Sequence, residues 1–225
     1  MQFGKKFIVA LLCLFIFVGF IGTSQANKSV FIISKHGSPS KAEAFSIDGD
    51  QVTFQTMVDI STLNQGYGAV GNAVWPDKEL MFVTYEASPM IVWASTKTLQ
   101  KVGEFDTGID NPAGIVVDED KERIYAVRRG YDDLYVYSFD DVNNTLLLDN
   151  HYDLEVPSGW LYGWGLALDE ENDLLYVSTD TKTVHVYDTS DWSHDHSIDI
   201  LVSGTDRPAV GIAVDPTNGY LYTGH

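Results

Sequence analysis

The feature that most constrains the fold of this chain is a repeated pattern that begins at four glycines. These are Gly71, Gly114, Gly165 and Gly211, and each opens an apolar run, a polar turn and a second apolar run. An aromatic residue follows each glycine at the same offset of eleven residues. The four aromatics are Phe82, Tyr125, Tyr176 and Tyr222. Self-similarity of this kind indicates a repeat architecture.

Each repeat predicts a β-hairpin, because two short apolar or β-branched runs flank a polar turn. The first run is almost entirely apolar, as expected for a strand whose two faces are both buried between neighbouring sheets. A third strand is predicted at 90–95, 134–139 and 183–188, and a fourth at 101–106, 146–154 and 196–202. No segment has a long helical period. We therefore expect an all-β protein.

The spacing of the glycines indicates the number of strands in each repeat. Successive glycines are 43, 51 and 46 residues apart, which accommodates four short strands per unit. Units of this size are typical of β-propeller blades, whereas sandwich domains require about 100 residues each. We expect a β-propeller of four-stranded antiparallel blades, of which about four to five are present.

The two ends of the repeat region do not match each other. After residue 27 the chain supplies candidates for the second, third and fourth strands of a blade without a first, whereas 210–225 supplies a first and a second strand. The carboxyl-terminal stretch could close the ring by providing the missing first strand, but it would then duplicate the second. We expect an incomplete ring, with a propeller domain spanning 27–225 that is cut inside a blade.

The first 26 residues have the composition of a secretory signal peptide. Lys5 and Lys6 precede the apolar run 7–21, and residues 24–26 match the small-residue pattern of a cleavage site. The apolar run is shorter than the ~20 residues that span a bilayer. We expect cleavage after Ala26 and an exported protein, either secreted, periplasmic or at the cell surface, with no stable membrane insertion.

The charge of the chain excludes one class of partner. It carries 32 acidic and 14 basic residues, a formal net charge of −18. So acidic a protein lacks the basic surface that nucleic acid requires, and we expect no nucleic-acid partner. The only cysteine, Cys13, lies in the predicted signal peptide, so the exported chain would have neither disulfides nor thiolate metal sites.

Three stretches share a pattern that extends beyond the glycine repeat: 111–127, 174–190 and 207–224. They resemble the YVTN-type β-propeller repeats, relatives of NHL repeats, although Ser178 and Thr179 stand where that family has Thr-Asn. The resemblance implies a propeller in an exported, surface-layer-like protein, in a family whose rings have six to eight blades. It does not imply one function, because propellers host many unrelated activities.

Acidic residues concentrate in one set of predicted turns. In a blade, the first-to-second and third-to-fourth turns lie on one face, named here the turn face, and the remaining connections lie on the opposite loop face. We interpret the acidic turn face as a solvated surface that keeps an exported protein soluble. Clustered oxygens could bind Ca²⁺. Neither the acidic stretch 169–173 nor the turn with Asp48 and Asp50 has EF-hand spacing, so no metal and no cofactor is predicted.

Basic and aromatic residues concentrate on the loop face. We predict that this face binds a ligand through Tyr67, Arg128, Arg129, Trp160, Tyr162 and Arg207. Trp160 and Tyr162 lie in the distinctive stretch 156–165 and could stack on sugar rings or a peptide. Trp164 directly precedes a repeat glycine where the other units have Val or Ala, so we expect it to pack between blades.

The histidines predict no metal or catalytic site. His194 and His196 could supply two imidazoles, but we expect both to be solvated in a polar turn, and His185 to be half-buried in a strand. The sequence contains no Ser-His-Asp order with a glycine-framed nucleophile, no P-loop and no dinucleotide fingerprint.

Three functions remain open from the sequence. The leading one is an exported, non-catalytic propeller that presents its loop face to a protein, glycan or cell-envelope partner. The first alternative is a lactonase- or lyase-type enzyme with a divalent metal in the central channel, for which Asn111, Asp180 and Asp206 form no recognisable set. The second alternative is a structural surface-layer or adhesion subunit.

Overall fold

The fold consists of β-strands throughout the part of the chain that the computed structural model describes. The described residues are 16–20, 28–34, 41–48, 51–59, 68–85, 87–154, 163–179, 182–200 and 211–224. They contain 18 strands in five antiparallel sheets. Within these residues, no helix has the length and apolar character needed to cross a membrane.

Four of the sheets have four strands each, arranged in chain order. Blade 1 contains β1 (Ile16–Phe20), β2 (Lys28–Ser34), β3 (Lys41–Asp48) and β4 (Gln51–Asp59). Blade 2 contains β5 (Ala69–Trp75), β6 (Leu80–Tyr85), β7 (Met90–Ser95) and β8 (Lys101–Asp106). Blade 3 contains β9 (Pro112–Asp118), β10 (Arg123–Arg128), β11 (Asp133–Asp140) and β12 (Thr145–Asp153). Blade 4 contains β13 (Gly163–Asp169), β14 (Leu174–Thr179), β15 (Thr183–Asp188) and β16 (His194–Asp199).

The fifth sheet is a hairpin of β17 (Gly211–Asp215) and β18 (Tyr220–Gly224). The first strands of successive sheets contact one another, β5 with β9, β9 with β13, and β13 with β17. This places the first strand of each blade innermost, as in a propeller. The predicted all-β propeller of four-stranded antiparallel blades is therefore confirmed. In the described residues it consists of four full blades and two strands of a fifth, and these strands do not close a ring.

The blades are joined by apolar packing between neighbouring sheets. Trp93 of blade 2 is completely buried, and its ring meets the Phe139 ring of blade 3 edge to face, with 5.6 Å between centroids. Its indole N–H donates to Asn144 Oδ1 of blade 3 at 3.1 Å. A buried aromatic pair with a satisfied indole stabilises the contact between two sheets.

The repeat glycines are required where inner strands approach closely. A Cβ at Gly71 would overlap the carbonyl oxygen of Ala113 in the next blade, and one at Gly114 would lie 2.8 Å from the Leu166 nitrogen. At Gly211, by contrast, a Cβ would meet no atom of the described residues within 4 Å. Gly71 and Gly114 therefore serve the close packing of neighbouring inner strands.

The first strand of blade 1 comes from a segment that the sequence analysis did not assign to the propeller. β1 lies inside the stretch predicted to be a signal peptide, and it pairs antiparallel with β2, with Phe20 opposite Val30. The carboxyl-terminal stretch forms its own hairpin, so among the described residues it does not supply this strand.

The structure places His194 and His196 in a strand and not in a turn. Both were expected in a polar turn, but they belong to β16, which pairs with β15. His185 lies half-buried in β15, as predicted.

Candidate binding site

The connection between β10 and β11 presents a stacked cation and aromatic ring on the loop face. Arg128 ends β10, and its guanidinium carbon lies 3.7 Å from the ring centroid of Tyr131. The Tyr131 N–H donates to the Arg128 carbonyl at 3.3 Å, and Gly130, with a φ of 84°, allows this tight turn. Tyr131 is 43% exposed, so a large part of its ring faces solvent.

Asp133, the first residue of β11, joins the side chains around this connection. Its Oδ2 lies 3.5 Å from both Arg128 Nη1 and the Tyr135 hydroxyl, which donates to it. Its Oδ1 lies 2.8 Å from His151 Nε2, and the His151 ring stacks on Tyr135 with 4.7 Å between centroids. Burial, and after it the Asp133 carboxylate, raises the pKa of Tyr135. Asp133 thereby holds residues of β10, β11 and β12 in one arrangement.

A second stacked pair connects blade 3 to blade 4. The guanidinium carbon of Arg129 lies 3.8 Å from the ring centroid of Trp164, and Trp164 is only partly buried. The main-chain N–H of Arg129 donates to the Asn111 carbonyl at 2.9 Å, and Asn111 Oδ1 accepts from the main-chain N–H of Ala87 at 2.5 Å. The prediction that Trp164 packs between blades is confirmed, and Asn111 has a structural role in the link between blades 2 and 3.

The predicted ligand-binding residues are described only in part. Tyr67, Trp160, Tyr162 and Arg207 lie outside the described residues. Arg128 ends β10 and Arg129 follows it directly. Both lie on the loop face as expected, beside Tyr131 and Trp164 respectively. Tyr131, Asp133 and His151 were not predicted from the sequence. The signal for Tyr131 was its position in a short connection after two arginines; no signal linked His151 to Asp133 before the strands were paired.

The turn face differs from the solvated rim that the sequence predicted. Asp118 and Asp169 are 2% and 4% exposed. Asp118 accepts hydrogen bonds from the Lys121 N–H at 2.9 Å and from the Tyr125 hydroxyl at 2.8 Å. Asp169 accepts from the main-chain N–H and the side chain of Asn172, so both carboxylates stabilise their turns through hydrogen bonds.

Lysines on the turn face form ion pairs between blades. Lys78 Nζ of blade 2 lies 2.6 Å from Asp141 Oδ2 of blade 3. Lys121, at the equivalent position of blade 3, lies 2.5 Å from Asp173 Oδ1 of blade 4. Among the described residues, no three His, Cys, Asp or Glu side chains are grouped so that they could hold a metal ion. The acidic residues that are described therefore take part in contacts between blades as well as in solvation.

A pocket with a volume of about 200 Å³ lies beside the inner strands. Its lining includes Asn72, Ile115, Leu166 and Ile212, and each of these directly follows a repeat glycine. Asn72 is therefore the one amide at a position where the other repeats have aliphatic residues. It is 8% exposed, and neither its Oδ1 nor its Nδ2 has a hydrogen-bond partner in the described part of the chain. The aligned repeats show this difference in the sequence, but they do not show that the amide of Asn72 is buried.

Each four-stranded blade places its first strand innermost, next to the first strand of the neighbouring blade. This arrangement defines the class of the protein as a β-propeller. The family model of the 7-bladed β-propeller lactonases matches residues 41–193. This range is more than half of the chain, and the chain belongs to that family.

Solved structures share the fold at low sequence identity. A crystal structure of a nidogen/laminin complex has 18% identity and a TM-score of 0.62, and the match covers 92% of this chain and 70% of that one. The crystal structure of Myxococcus xanthus glutaminyl cyclase has 13% identity and a TM-score of 0.63, with 93% and 85% covered. At these identities the likeness extends to the fold alone. No curated protein matches the chain.

Proposed function

We propose that this protein is an exported, non-catalytic propeller whose loop face binds a glycan of the cell envelope that carries carboxylates. The observation that carries the proposal is the pair of guanidinium groups stacked on aromatic rings, Arg128 on Tyr131 at 3.7 Å and Arg129 on Trp164 at 3.8 Å. A polypeptide with carboxylate side chains is the nearest alternative partner.

The two stacked pairs offer both kinds of contact that such a ligand needs. Guanidinium groups bind carboxylates through their N–H groups, and Arg128 pairs with the carboxylate of Asp133 in this way. The exposed part of the Tyr131 ring offers a flat apolar surface for a sugar ring. Because Asp133 holds Arg128, and Trp164 holds Arg129, these side chains lose little entropy on binding.

Export and the YVTN-type character of the repeats form part of the same proposal. Export is supported by the apolar run at 7–21 with lysines before it, and cleavage after Ala26 would remove β1 from blade 1. The YVTN-type character is supported by the repeat pattern at 174–190 and 207–224. The strongly acidic composition is compatible with a soluble protein in a saline or cation-rich medium.

Calorimetric titration of the full chain tests the binding proposal. Two probes are titrated, an oligomer of galacturonic acid and an oligomer of N-acetylglucosamine. We expect saturable binding of the carboxylated oligomer, at least about tenfold weaker in Arg129→Ala and in Tyr131→Ala, because truncating an anchor residue costs more than about 1.4 kcal/mol. Lys97→Ala, which removes an exposed cation from the turn face, serves as the control and should bind as the parent does. Absence of saturable binding of the galacturonic acid oligomer contradicts the proposal, and so does equal binding of the N-acetylglucosamine oligomer, which carries no carboxylate.

A second function, hydrolysis of a lactone, is favoured by the family match and by one arrangement of side chains. His151 Nε2 lies 2.8 Å from Asp133 Oδ1, and the His151 side chain is 46% exposed. A carboxylate that holds an imidazole in one orientation is a common feature of general bases, and a base of this kind could deprotonate water for attack on an ester carbonyl.

The two functions predict opposite results for one assay. Turnover of a simple five-membered-ring lactone is followed by acid release for the parent chain and for His151→Gln. If the protein is an enzyme, the parent shows turnover above the buffer rate and the variant loses about 10²–10⁴-fold. The binding proposal predicts the buffer rate for both proteins.

A further inference from the structure

Two histidines on the outer strands of blade 4 converge on one hydroxyl group. His185 Nδ1 lies 2.9 Å from Ser197 Oγ, and His194 Nε2 lies 3.0 Å from the same oxygen. The two imidazole rings are 5.7 Å apart, centroid to centroid. A hydroxyl has a single proton to donate, so one of the two imidazoles must donate its own N–H to the Ser197 oxygen.

An irregularity in strand register produces this convergence. The pairing of β15 with β16 shifts between Val186 and Tyr187, so that His194 lies opposite Tyr187, whereas Ser197 lies opposite His185. The extra residue of β16, Asp195, follows His194 directly, and a bulge of this kind re-aims the side chains on either side of it. His194 therefore points to the face that carries His185.

His196 takes no part in this pair. It lies opposite Val186 in the ladder, and its Nδ1 is 2.6 Å from Asp195 Oδ2. Successive residues of a strand face opposite sides of the sheet, so His196 faces away from His185.

We propose that His185 and His194 form a binding site for a divalent transition-metal ion, with Cu²⁺ preferred over Ni²⁺ and Zn²⁺. Imidazole nitrogens are good ligands for these ions, and for a given set of nitrogen and oxygen ligands the affinity is highest for Cu²⁺. Bonds from such metals to imidazole are about 2.0–2.1 Å long, so each ring needs to move by roughly 1 Å toward an ion beside the hydroxyl. Ser197 Oγ and water complete the coordination.

Titration of the full, tag-free chain with CuCl₂ tests this site, after removal of bound metal with a chelator. We expect one saturable site, detected by calorimetry and by a nitrogen-ligated Cu²⁺ spectrum in electron paramagnetic resonance. Loss of an outer hydrogen-bond partner of a metal ligand costs about 10–100-fold in affinity, so His185→Gln and His194→Gln should each lose at least that factor. His196→Gln is the matched control, because it removes a histidine from the same strand but from the opposite face.

Three outcomes would overturn the assignment. These are absence of a saturable site in the parent chain, a loss in His196→Gln equal to that in His194→Gln, and unchanged affinity in both variants of the pair. Thermal melting without metal checks that the variants are folded, and His194→Gln, in the outer strand, keeps the test decisive if His185→Gln does not fold. The site is independent of the proposed loop-face function, since it lies on different strands.

Discussion

The main-chain N–H of Glu119 donates a hydrogen bond to Glu170 Oε1 at 3.1 Å, and this bond joins the first turn of blade 3 to the first turn of blade 4. The carboxylate of Glu119 in turn accepts a hydrogen bond from the main chain of Asp77 in blade 2. The same kind of latch therefore links three successive blades on the turn face.

The latch predicts an unusual dependence of stability on pH. Burial raises the pKa of Glu119 and of Glu170, and nearby carboxylates, Asp120 among them, raise both pKa values further. A carboxyl group whose pKa is higher in the folded state binds its proton more tightly there, so the free energy of unfolding rises as pH falls through the folded pKa. We expect these two groups to raise the melting temperature as pH is lowered through their folded pKa values, which lie above the 4.5 of an ordinary glutamate.

Glu170→Gln tests the origin of that pH dependence. The amide oxygen of glutamine can still accept the Glu119 N–H, while the charge is removed. At pH 7 the melting temperature should rise by about 1–2 °C, because a partly exposed charge worth ~0.5 kcal/mol shifts a chain of this size by that amount. The rise should shrink at acid pH. Glu171→Gln changes the same charge at an exposed neighbour and should leave the pH dependence as in the parent; an identical effect of both variants contradicts the latch.

The repeat glycines should differ in their tolerance of a methyl group. Gly114→Ala brings a Cβ to 2.8 Å from the Leu166 nitrogen of the next blade, and main-chain atoms cannot move aside without shifting a strand. We expect a loss of about 1–3 kcal/mol in the free energy of unfolding, measured in urea. Gly211→Ala, with no atom within 4 Å of its Cβ, should change stability by less than ~0.5 kcal/mol. Equal losses would mean that the glycine is not required for inner-strand contact.

The buried Asp118 should matter more than its exposed neighbour. Asp118→Ala removes the acceptor of the Tyr125 hydroxyl and of the Lys121 N–H. The Tyr125 hydroxyl is then left buried without a partner, which costs about 1–3 kcal/mol. Asp120→Ala, at an exposed position of the same turn, should stay within ~0.5 kcal/mol of the parent. Chemical unfolding of both variants measures the difference, and similar values for both would contradict the buried role of Asp118.

The blade pattern could be predicted from the sequence because each strand carries its own local signal. The glycine repeat predicted the inner strands, and the third strands at 90–95 and 183–188 match β7 and β15. The residue eight positions after each repeat glycine has a positive φ, at Glu79, Glu122, Asp173 and Gly219. Three of these four residues are acidic and only one is glycine. The position of glycines in the sequence therefore does not identify the turn that the four repeats share.

Contacts that depend on strand pairing could not be predicted. The pairing of His185 with His194 arises from a register shift, and that of His151 with Asp133 arises from the alignment of β11 with β12. Asp118 was expected on a solvated rim because acidic residues are usually exposed, but it is buried and accepts from the Tyr125 hydroxyl and the Lys121 N–H of its own blade. Asn72 stands out in the aligned repeats, but the sequence does not show that it is buried with no hydrogen-bond partner among the described residues.

Amide hydrogen exchange of the full chain, with and without the galacturonic acid oligomer, tests the loop-face claim most directly. The binding account predicts slower exchange in the bound state at 128–133 and at 163–164, with turn-face residues 119–122 unchanged. Protection at 119–122 instead, or no protection anywhere at a saturating concentration of the oligomer, would contradict it.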